Sequence, residues 1–330
     1  MTLKRIGMLL LCAAIALFSV GTLVAQAADY PASDIKHIMP WGAGGGTDTV
    51  MRAFMNSLEK TLGATIYTVN LPGAKSGQGG AELMDSAPDG YTIGSLTYDG
   101  IITVPFFGLV PGYDTARLRF VGTVTDHPTV IAVNAKSPWK TMEDVIEDAR
   151  KNPGTIAISN VGTGGVWHLP VLELEQLAGV TFRHVAFPGG SGEQREALLK
   201  REVPLACSSV GGIYPAIKAG HARLLAVMGT ERFADFPDVP TFKELGYDLN
   251  WGSMRVIAVP KDVPDEIFNK IEAAAAKATE DEKWKTWLAE SGGGGWIWRD
   301  SATTEQFVKD LQAKVFKLMD ELVAAGTISK

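Results

Sequence analysis

The chain is poor in cysteine, with only Cys12 and Cys207 among its 330 residues. Cys12 lies in the N-terminal leader described below. A single thiol is left, so an intramolecular disulfide is excluded. Cys207 sits in Pro204-Leu205-Ala206-Cys207, an apolar run that reads as a buried strand, and a packed, inert thiol is the expected reading. Clusters of Lys and Arg are also missing. The formal charge is −6, and removal of residues 1–27 with Lys4 and Arg5 leaves 29 basic against 37 acidic residues, or −8. A polyanion partner needs a basic face, so nucleic-acid binding is excluded, whereas backbone dipoles can still hold a small anion. No apolar run after the leader is long enough to span a bilayer. The five histidines (37, 127, 168, 184 and 221) show no ligand spacing with acids or the lone thiol, which argues against a metal. Nucleotide loops fail too: a third Gly is absent after Gly42-x-Gly44, where Thr47 stands, and after Gly162-x-Gly164, where Trp167 stands. No Gly-x-Ser-x-Gly nucleophile elbow occurs. No catalytic residue and no cofactor is expected.

What is present begins with the leader. Lys4 and Arg5 precede an apolar stretch from Met8 to Phe18, and Ala25-Gln26-Ala27 has the small residues of a cleavage site. This pattern predicts a secretory signal peptide over residues 1–27, cut after Ala27, rather than a membrane anchor. The expected mature protein is exported and soluble. Short β-branched runs then alternate with amphipathic stretches. Strands are predicted over Asp34–Pro40, Thr65–Asn70, Tyr91–Thr97, Thr129–Asn134, Thr155–Ser159, Thr181–Ala186, Leu224–Met228 and Met254–Val259. Helices are predicted over Thr47–Leu62, Thr141–Lys151, Trp167–Leu177, Gln194–Arg201, Pro264–Thr279 and Thr303–Ala325. Thr141-x-x-Asp144 has the spacing of a capping box. The alternation means an α/β fold with mostly parallel pairing.

A degenerate repeat lies within it. In the first copy a strand to Pro40 leads into Trp41-Gly42-Ala43-Gly44-Gly45-Gly46-Thr47-Asp48, then a helix to Gly63, a strand to Asn70 and the turn Pro72-Gly73-Ala74. In the second, a strand to Ser159 leads into Gly162-Thr163-Gly164-Gly165-Val166-Trp167-His168, a helix to Gly179, a strand to Phe187 and the turn Pro188-Gly189-Gly190. Two copies imply two similar α/β domains. Phe120–Thr125 and Leu224–Thr230 are read as two crossover strands between them. Domain I is then 28–124 with 229–330, and domain II is 125–228. Helix N-termini carry unsatisfied N–H groups and a partial positive charge. Glycines ahead of them let an anion approach. Two such loops facing each other across a cleft point to a small carboxylate. They supply donors without obvious fixed cationic partners, and Leu71, Val166 and Trp167 put apolar groups nearby. A monocarboxylate or dicarboxylate with an apolar body is therefore expected over citrate.

Pro40-Trp41-Gly42-Ala43-Gly44-Gly45-Gly46-Thr47-Asp48 resembles the first ligand loop of the substrate-binding proteins of tripartite tricarboxylate transporters, the Bug family. Asn70-Leu71-Pro72-Gly73-Ala74, Ala87-Pro88-Asp89-Gly90-Tyr91-Thr92, Gly162-Thr163-Gly164-Gly165 with His168, Phe187-Pro188-Gly189-Gly190, Ile217-Lys218-Ala219-Gly220 and Pro237-Asp238-Val239-Pro240-Thr241 follow in order. The resemblance implies a two-lobed periplasmic binding protein fold of type II. It also implies a small carboxylate ligand, handed to a two-subunit integral membrane permease by a monomeric receptor. There are departures. Leu71 stands where the family often has Arg, Val166-Trp167 where small hydroxyl residues are common, and Ser208-Ser209 where an acid is frequent. The candidate ligand-binding set is Trp41, Ala43, Gly44, Gly45, Gly46, Thr47, Asp48, Thr97, Thr163, Gly164, Gly165, Val166, Trp167, His168, Phe187 and Ser208. Asp48 and His168 also have plain roles, stabilising a helix start and packing. A periplasmic adaptor for a signalling partner would share this site. A secreted hydrolase or lyase would need a nucleophile, base or metal cluster that the sequence does not show.

Overall fold

The computed structural model describes residues 30–330 except 234 and 292–297, so the predicted leader lies outside the described residues. The elements in chain order are β1 (Ile35–Met39), α1 (Gly46–Leu62), β2 (Ile66–Asn70), α2 (Gly77–Met84), β3 (Thr92–Thr97), α3 (Val104–Phe107), β4 (Leu118–Asn134), α4 (Met142–Lys151) and β5 (Ala157–Asn160). Then come α5 (Leu169–Ala178), β6 (Arg183–Ala186), α6 (Ser191–Lys200), β7 (Leu205–Ser209), α7 (Val210–Lys218), β8 (Ala222–Met228), β9 (Gly252–Pro260), α8 (Asp265–Ala278), α9 (Glu282–Glu290) and α10 (Ser301–Ala324). Among the described residues no helix is long and apolar enough to cross a membrane.

The strands form the order β2-β1-β3-β9-β4-β7-β5-β6, with β8 also on β4. Pairing is parallel at both ends, β2-β1-β3 and β7-β5-β6, as repeated β–α–β units demand. The middle differs from the mostly parallel expectation: β9 runs antiparallel to β3 and to β4, and β4 antiparallel to β7 and β8. The reason lies in β4. The predicted runs Phe120–Thr125 and Thr129–Asn134 are one strand of 17 residues, about 55 Å of extended chain. Leu118–Pro128 pair with β9, and Thr129–Asn134 with β7 and β8. One long strand therefore threads both ends of the molecule. β8 stays on the far half of β4, and the chain returns through 229–251 into β9, whose Gly252 pairs with Pro128.

Local patterning explains the flanking helices. Val50, Met51, Phe54, Met55 and Leu58 form the buried stripe of α1, spaced as one helical face requires. They pack against Ile267, Phe268 and Ile271 of α8 and against Trp284, which meets Phe54 edge to face at 5.2 Å. Gly63, at φ 75°, ends α1 in the left-handed conformation. In α4 the capping box is complete: the Asp144 N–H donates to Thr141 Oγ1 at 3.2 Å, and the Thr141 N–H donates to Asp144 Oδ2 at 3.0 Å. α7 was not predicted although Val210, Ile213, Tyr214 and Ile217 have helical spacing, because two glycines and Pro215 disguise it. Ser209 nevertheless caps its start through the Gly212 N–H at 3.3 Å. Cys207 is fully buried in β7, and burial pushes its thiol far up.

Candidate functional site

The first Gly-rich loop leaves β1 and enters α1. Gly44, at φ +75°, turns the chain, a conformation open to Gly at little cost. Asp48, 3% exposed, then ties the turn down. Its carboxylate accepts from the Gly44 N–H at 2.9 Å, from Asn70 Nδ2 at 2.8 Å and from Arg52 Nε at 2.9 Å. Asn70 Nδ2 also reaches the Trp41 carbonyl at 2.8 Å. Burial alone would raise the Asp48 pKa, but these donors outweigh it and hold the group below the usual carboxylate range. Trp41 Nε1 donates to Thr97 Oγ1 at 3.1 Å. With the Gly44 N–H engaged by Asp48, none of the hydrogen bonds among the described residues takes the N–H of Ala43, Gly46 or Thr47.

The second loop follows β5 and is more fully occupied. The Gly162 N–H donates to Asn160 Oδ1 at 2.8 Å, Gly164 N–H to His168 Nδ1 at 3.2 Å and Gly165 N–H to the Gly162 carbonyl at 3.0 Å. Burial lowers the His168 pKa to about 3, so a neutral ring accepts here. Asp99, from the segment after β3, lies against this loop, its Oδ1 3.4 Å from where a Cβ on Gly165 would stand. Thr103 Oγ1 lies 2.9 Å from both Asp99 Oδ1 and the Gly164 carbonyl. Burial raises the Asp99 pKa, with Lys75 and these donors pulling it back. The protein's own Asp99 is thus tied to this loop through Thr103.

Between the loops lies a cavity of about 1030 Å³. Of the predicted residues, Trp41, Ala43, Gly44, Gly45, Gly46, Thr47, Thr97, Thr163, Val166 and Trp167 stand in its wall. Asp48, Gly164, Gly165, His168, Phe187 and Ser208 do not. Asp48 and His168 hold their loops from behind, and Gly164 backs onto Phe107, whose ring a Cβ would meet at 2.3 Å. Leu71 packs on the core instead of the cavity. Phe187 packs beside Ala157, Ala197 and Val203, and Ser208 is fully buried in β7.

The wall also holds residues that the pattern reading passed over. Lys75, Arg195 and Arg255 line it, which corrects the expectation of loops without fixed cations. Lys75 sits in three consecutive left-handed residues, Ala74, Lys75 and Ser76 (φ 46°, 53° and 76°), and its Nζ donates to the Val161 carbonyl at 3.1 Å. The repeat carried a signal for two of these cations. Lys75 follows the first Pro-Gly turn and Arg195 the second, and both turns reach the cavity wall. Arg255 announces itself as a charge inside an apolar strand; it is 4% exposed. Four buried polar atoms on wall residues have no hydrogen-bond partner among the described residues: Ser76 Oγ, Tyr98 Oη, Trp167 Nε1 and Arg255 Nε. Buried polar groups are ordinarily paired, so four such atoms on the residues of one wall are unusual.

The family model for the tripartite tricarboxylate transporter family receptor matches residues 50–323. A Cupriavidus necator protein described as "UPF0065 protein in gbd 5'region" is 32% identical over 266 residues, covering 80% of each chain. A solved TctC solute binding protein from Polaromonas, without ligand, is 30% identical, with a TM-score of 0.72 over 89% of this chain and 100% of that one. An R. palustris protein solved with adipate shares the fold at 23% identity, with a TM-score of 0.80 over 88% of this chain and 98% of that one.

Proposed function

The chain belongs to the tripartite tricarboxylate transporter receptor family, and from that premise we propose that it is a periplasmic solute-binding protein that captures a small carboxylate in the cleft. It delivers the ligand to a two-subunit membrane permease and carries out no reaction on it. In this reading, 28–124 with 229–330 form one lobe and 125–228 the other.

The observation that carries the reading is the chemistry of the wall. Unengaged N–H groups of Ala43, Gly46 and Thr47 at the start of α1 face the same space as Lys75, Arg195 and Arg255. A helix N-terminus and charge-assisted donors are what a carboxylate needs on leaving water. Trp41, Val166 and Trp167 add apolar faces, which gain about 25 cal/mol for each Å² of apolar ligand surface covered. A ligand with an apolar body is favoured over citrate, which must shed more hydration.

A thermal-shift screen across monocarboxylates, dicarboxylates, citrate and aromatic acids tests this, together with mass spectrometry of any ligand retained through purification. At a hundredfold excess over Kd, binding stabilises the fold by about 2.7 kcal/mol, which a melting curve resolves. A screen in which no organic acid moves Tm, while a sugar or an amine does, overturns the reading.

A further inference from the structure

The second Gly-rich loop is held from behind by two side chains, and a third stands between them. The Gly162 N–H donates to Asn160 Oδ1 at 2.8 Å, and the Gly164 N–H to His168 Nδ1 at 3.2 Å. His184, on β6, lies against both holders. Its Nδ1 is 3.2 Å from Asn160 Nδ2, and its ring meets the His168 ring edge to face at 4.8 Å. Its Nε2 is 3.3 Å from Glu175 Oε1 of α5. None of Asn160, Glu175 and His184 lines the cavity, but Gly162 does.

The proton positions follow from these contacts. A backbone N–H can only donate, so Asn160 turns Oδ1 to Gly162 and Nδ2 to His184. His184 Nδ1 must then accept, and the proton of the neutral ring sits on Nε2, toward Glu175. Glu175 is the one acid within ion-pair distance of that ring among the described residues, and its Oε1 also accepts from the Phe182 N–H at 2.5 Å. Two further titratable groups stand near: His168, and Lys75 on the far side of the loop. Arg183, next to His184 in β6, points to the opposite face of the strand. Burial, then His184 and Lys75, lower the His168 pKa to about 3, so His168 stays a neutral acceptor. Histidine is the side chain that takes up a proton between about pH 5 and 8, and the His184 side chain keeps 24% exposure to solvent.

A second proton on His184 goes to Nδ1 and sets a donor against the Asn160 amine. A half-turn of the Asn160 amide brings Oδ1 to the imidazolium and Nδ2 to the loop, where it confronts the Gly162 N–H. The Val161–Gly162 peptide unit resolves that conflict by turning over. Its carbonyl then accepts from Asn160 Nδ2, and its N–H faces the cavity. Gly162, at φ 90°, allows the turn, since glycine takes both signs of φ at little cost. Space allows it too: a Cβ at Gly162 would meet nothing closer than Lys75 Nζ at 3.6 Å. The Gly162 carbonyl lies outside that unit and stays on the Gly165 N–H at 3.0 Å. The Val161 carbonyl accepts from Lys75 Nζ at 3.1 Å, so the turn also releases Lys75. Asn160 is paired on both sides in either arrangement, as a two-state element requires.

We propose that His184 is a proton-operated positioning residue that, through the Asn160 amide, sets which face of the Val161–Gly162 peptide the cavity sees. With a neutral ring the peptide shows its carbonyl, bound to Lys75. With a charged ring it shows its N–H and leaves the Lys75 ammonium free. For the carboxylate ligand proposed above, and only this consequence rests on that reading, affinity rises as pH falls through the His184 transition. Anion binding and protonation favour the same arrangement, and the coupling is reciprocal.

Nuclear magnetic resonance on the ligand-free protein tests it. Labelling valine carbonyls with carbon-13 and glycine nitrogens with nitrogen-15 selects only the peptides Val121–Gly122, Val161–Gly162 and Val210–Gly211 in residues 28–330. Between about pH 8 and 5, the Gly162 N–H and the Val161 carbonyl should shift together, with the midpoint of the His184 ring. In His184→Phe, which keeps an aromatic edge against His168, both signals should lose that transition. In Asn160→Asp an acceptor faces Gly162 whichever proton state His184 takes, so Gly162 should no longer follow the ring. A Gly162 signal that stays still while the His184 ring titrates overturns the switch, as does a ring that does not titrate in this range. So does a Gly162 transition that survives in His184→Phe. An unchanged Gly162 response in Asn160→Asp would mean a charge felt through space and overturns the relay. If either variant does not fold, the titration of the native protein decides alone. The measurement needs no ligand, so its result is read separately from the fate of the carboxylate reading.

Discussion

The carboxylate of Asp48 accepts from the first loop, from α1 and from the end of β2 at once, so one side chain sets where the Ala43–Thr47 backbone sits. Its pKa is depressed in the folded state, with Asn70, Gly44 and Arg52 overcoming the effect of burial. For a depressed acid, the stabilisation is present above the unfolded value, near 3.8, and disappears as pH falls through the folded one. Asp48→Asn should therefore cost roughly 1–3 kcal/mol near neutral pH. The gap in stability from the native protein should close as pH drops below about 4. Urea titrations of both proteins across that range check it, and a gap independent of pH would contradict the assignment. His168 has a parallel place behind the second loop, but as a neutral acceptor for Gly164. From sequence each residue had a plain role, packing or stabilising a helix start, beside its place in the candidate ligand set. Only the direction in which each side chain folds back on its loop separates the two.

At the level of elements, the two Gly-rich loops are alike in sequence and unlike in use. Both Gly44 and Gly164 adopt positive φ, and only Gly164 is pressed against a neighbour, the Phe107 ring of α3. A Cβ on Gly44 meets no atom within 4 Å. Gly44→Val should cost about 1–2 kcal/mol for the left-handed backbone and weaken ligand binding through displacement of the loop. Gly164→Val adds overpacking of typically 1–3 kcal/mol to the same backbone term and should be the less stable variant. Chemical denaturation compares them, and equal stability would mean that the Phe107 contact yields freely. The capping box of α4 was legible because its signal is local, two side chains three residues apart. α7 was not, since its helical state depends on Ser209 and on packing of Val210, Ile213 and Ala216 against β4 and β8.

Across the whole molecule, two connections join the halves of the sheet, β4 at Asp126–Pro128 and the return through 229–251. Thr129 N–H donates to the Trp251 carbonyl at 2.8 Å, and Trp251 N–H to the Met228 carbonyl at 2.9 Å, so the two connections are stitched side by side. The bond from Lys75 to Val161 and the approach of Thr103 to Gly164 bridge the cleft walls. A carboxylate that adds contacts to both walls should favour a closed arrangement about these few residues. Small-angle scattering should then show a smaller radius of gyration at saturating ligand, and an identical profile with and without ligand would count against closure.

The alternation of strands and helices, the repeat and the two Gly-rich loops were readable from the order of residues, because hydrophobic periodicity and turn chemistry act over a few neighbours. Ten of the sixteen anticipated ligand residues accordingly stand in the cavity wall. The cations were decided only by the folded chain. Lys75 faces the second loop because three left-handed residues turn it there, and Asp99 reaches that loop through Thr103 from a segment more than sixty residues away. Arg255 becomes a buried charge because a strand late in the chain is laid between β3 and β4. Each depends on contacts between segments distant in sequence, and no local pattern records which distant segment will arrive.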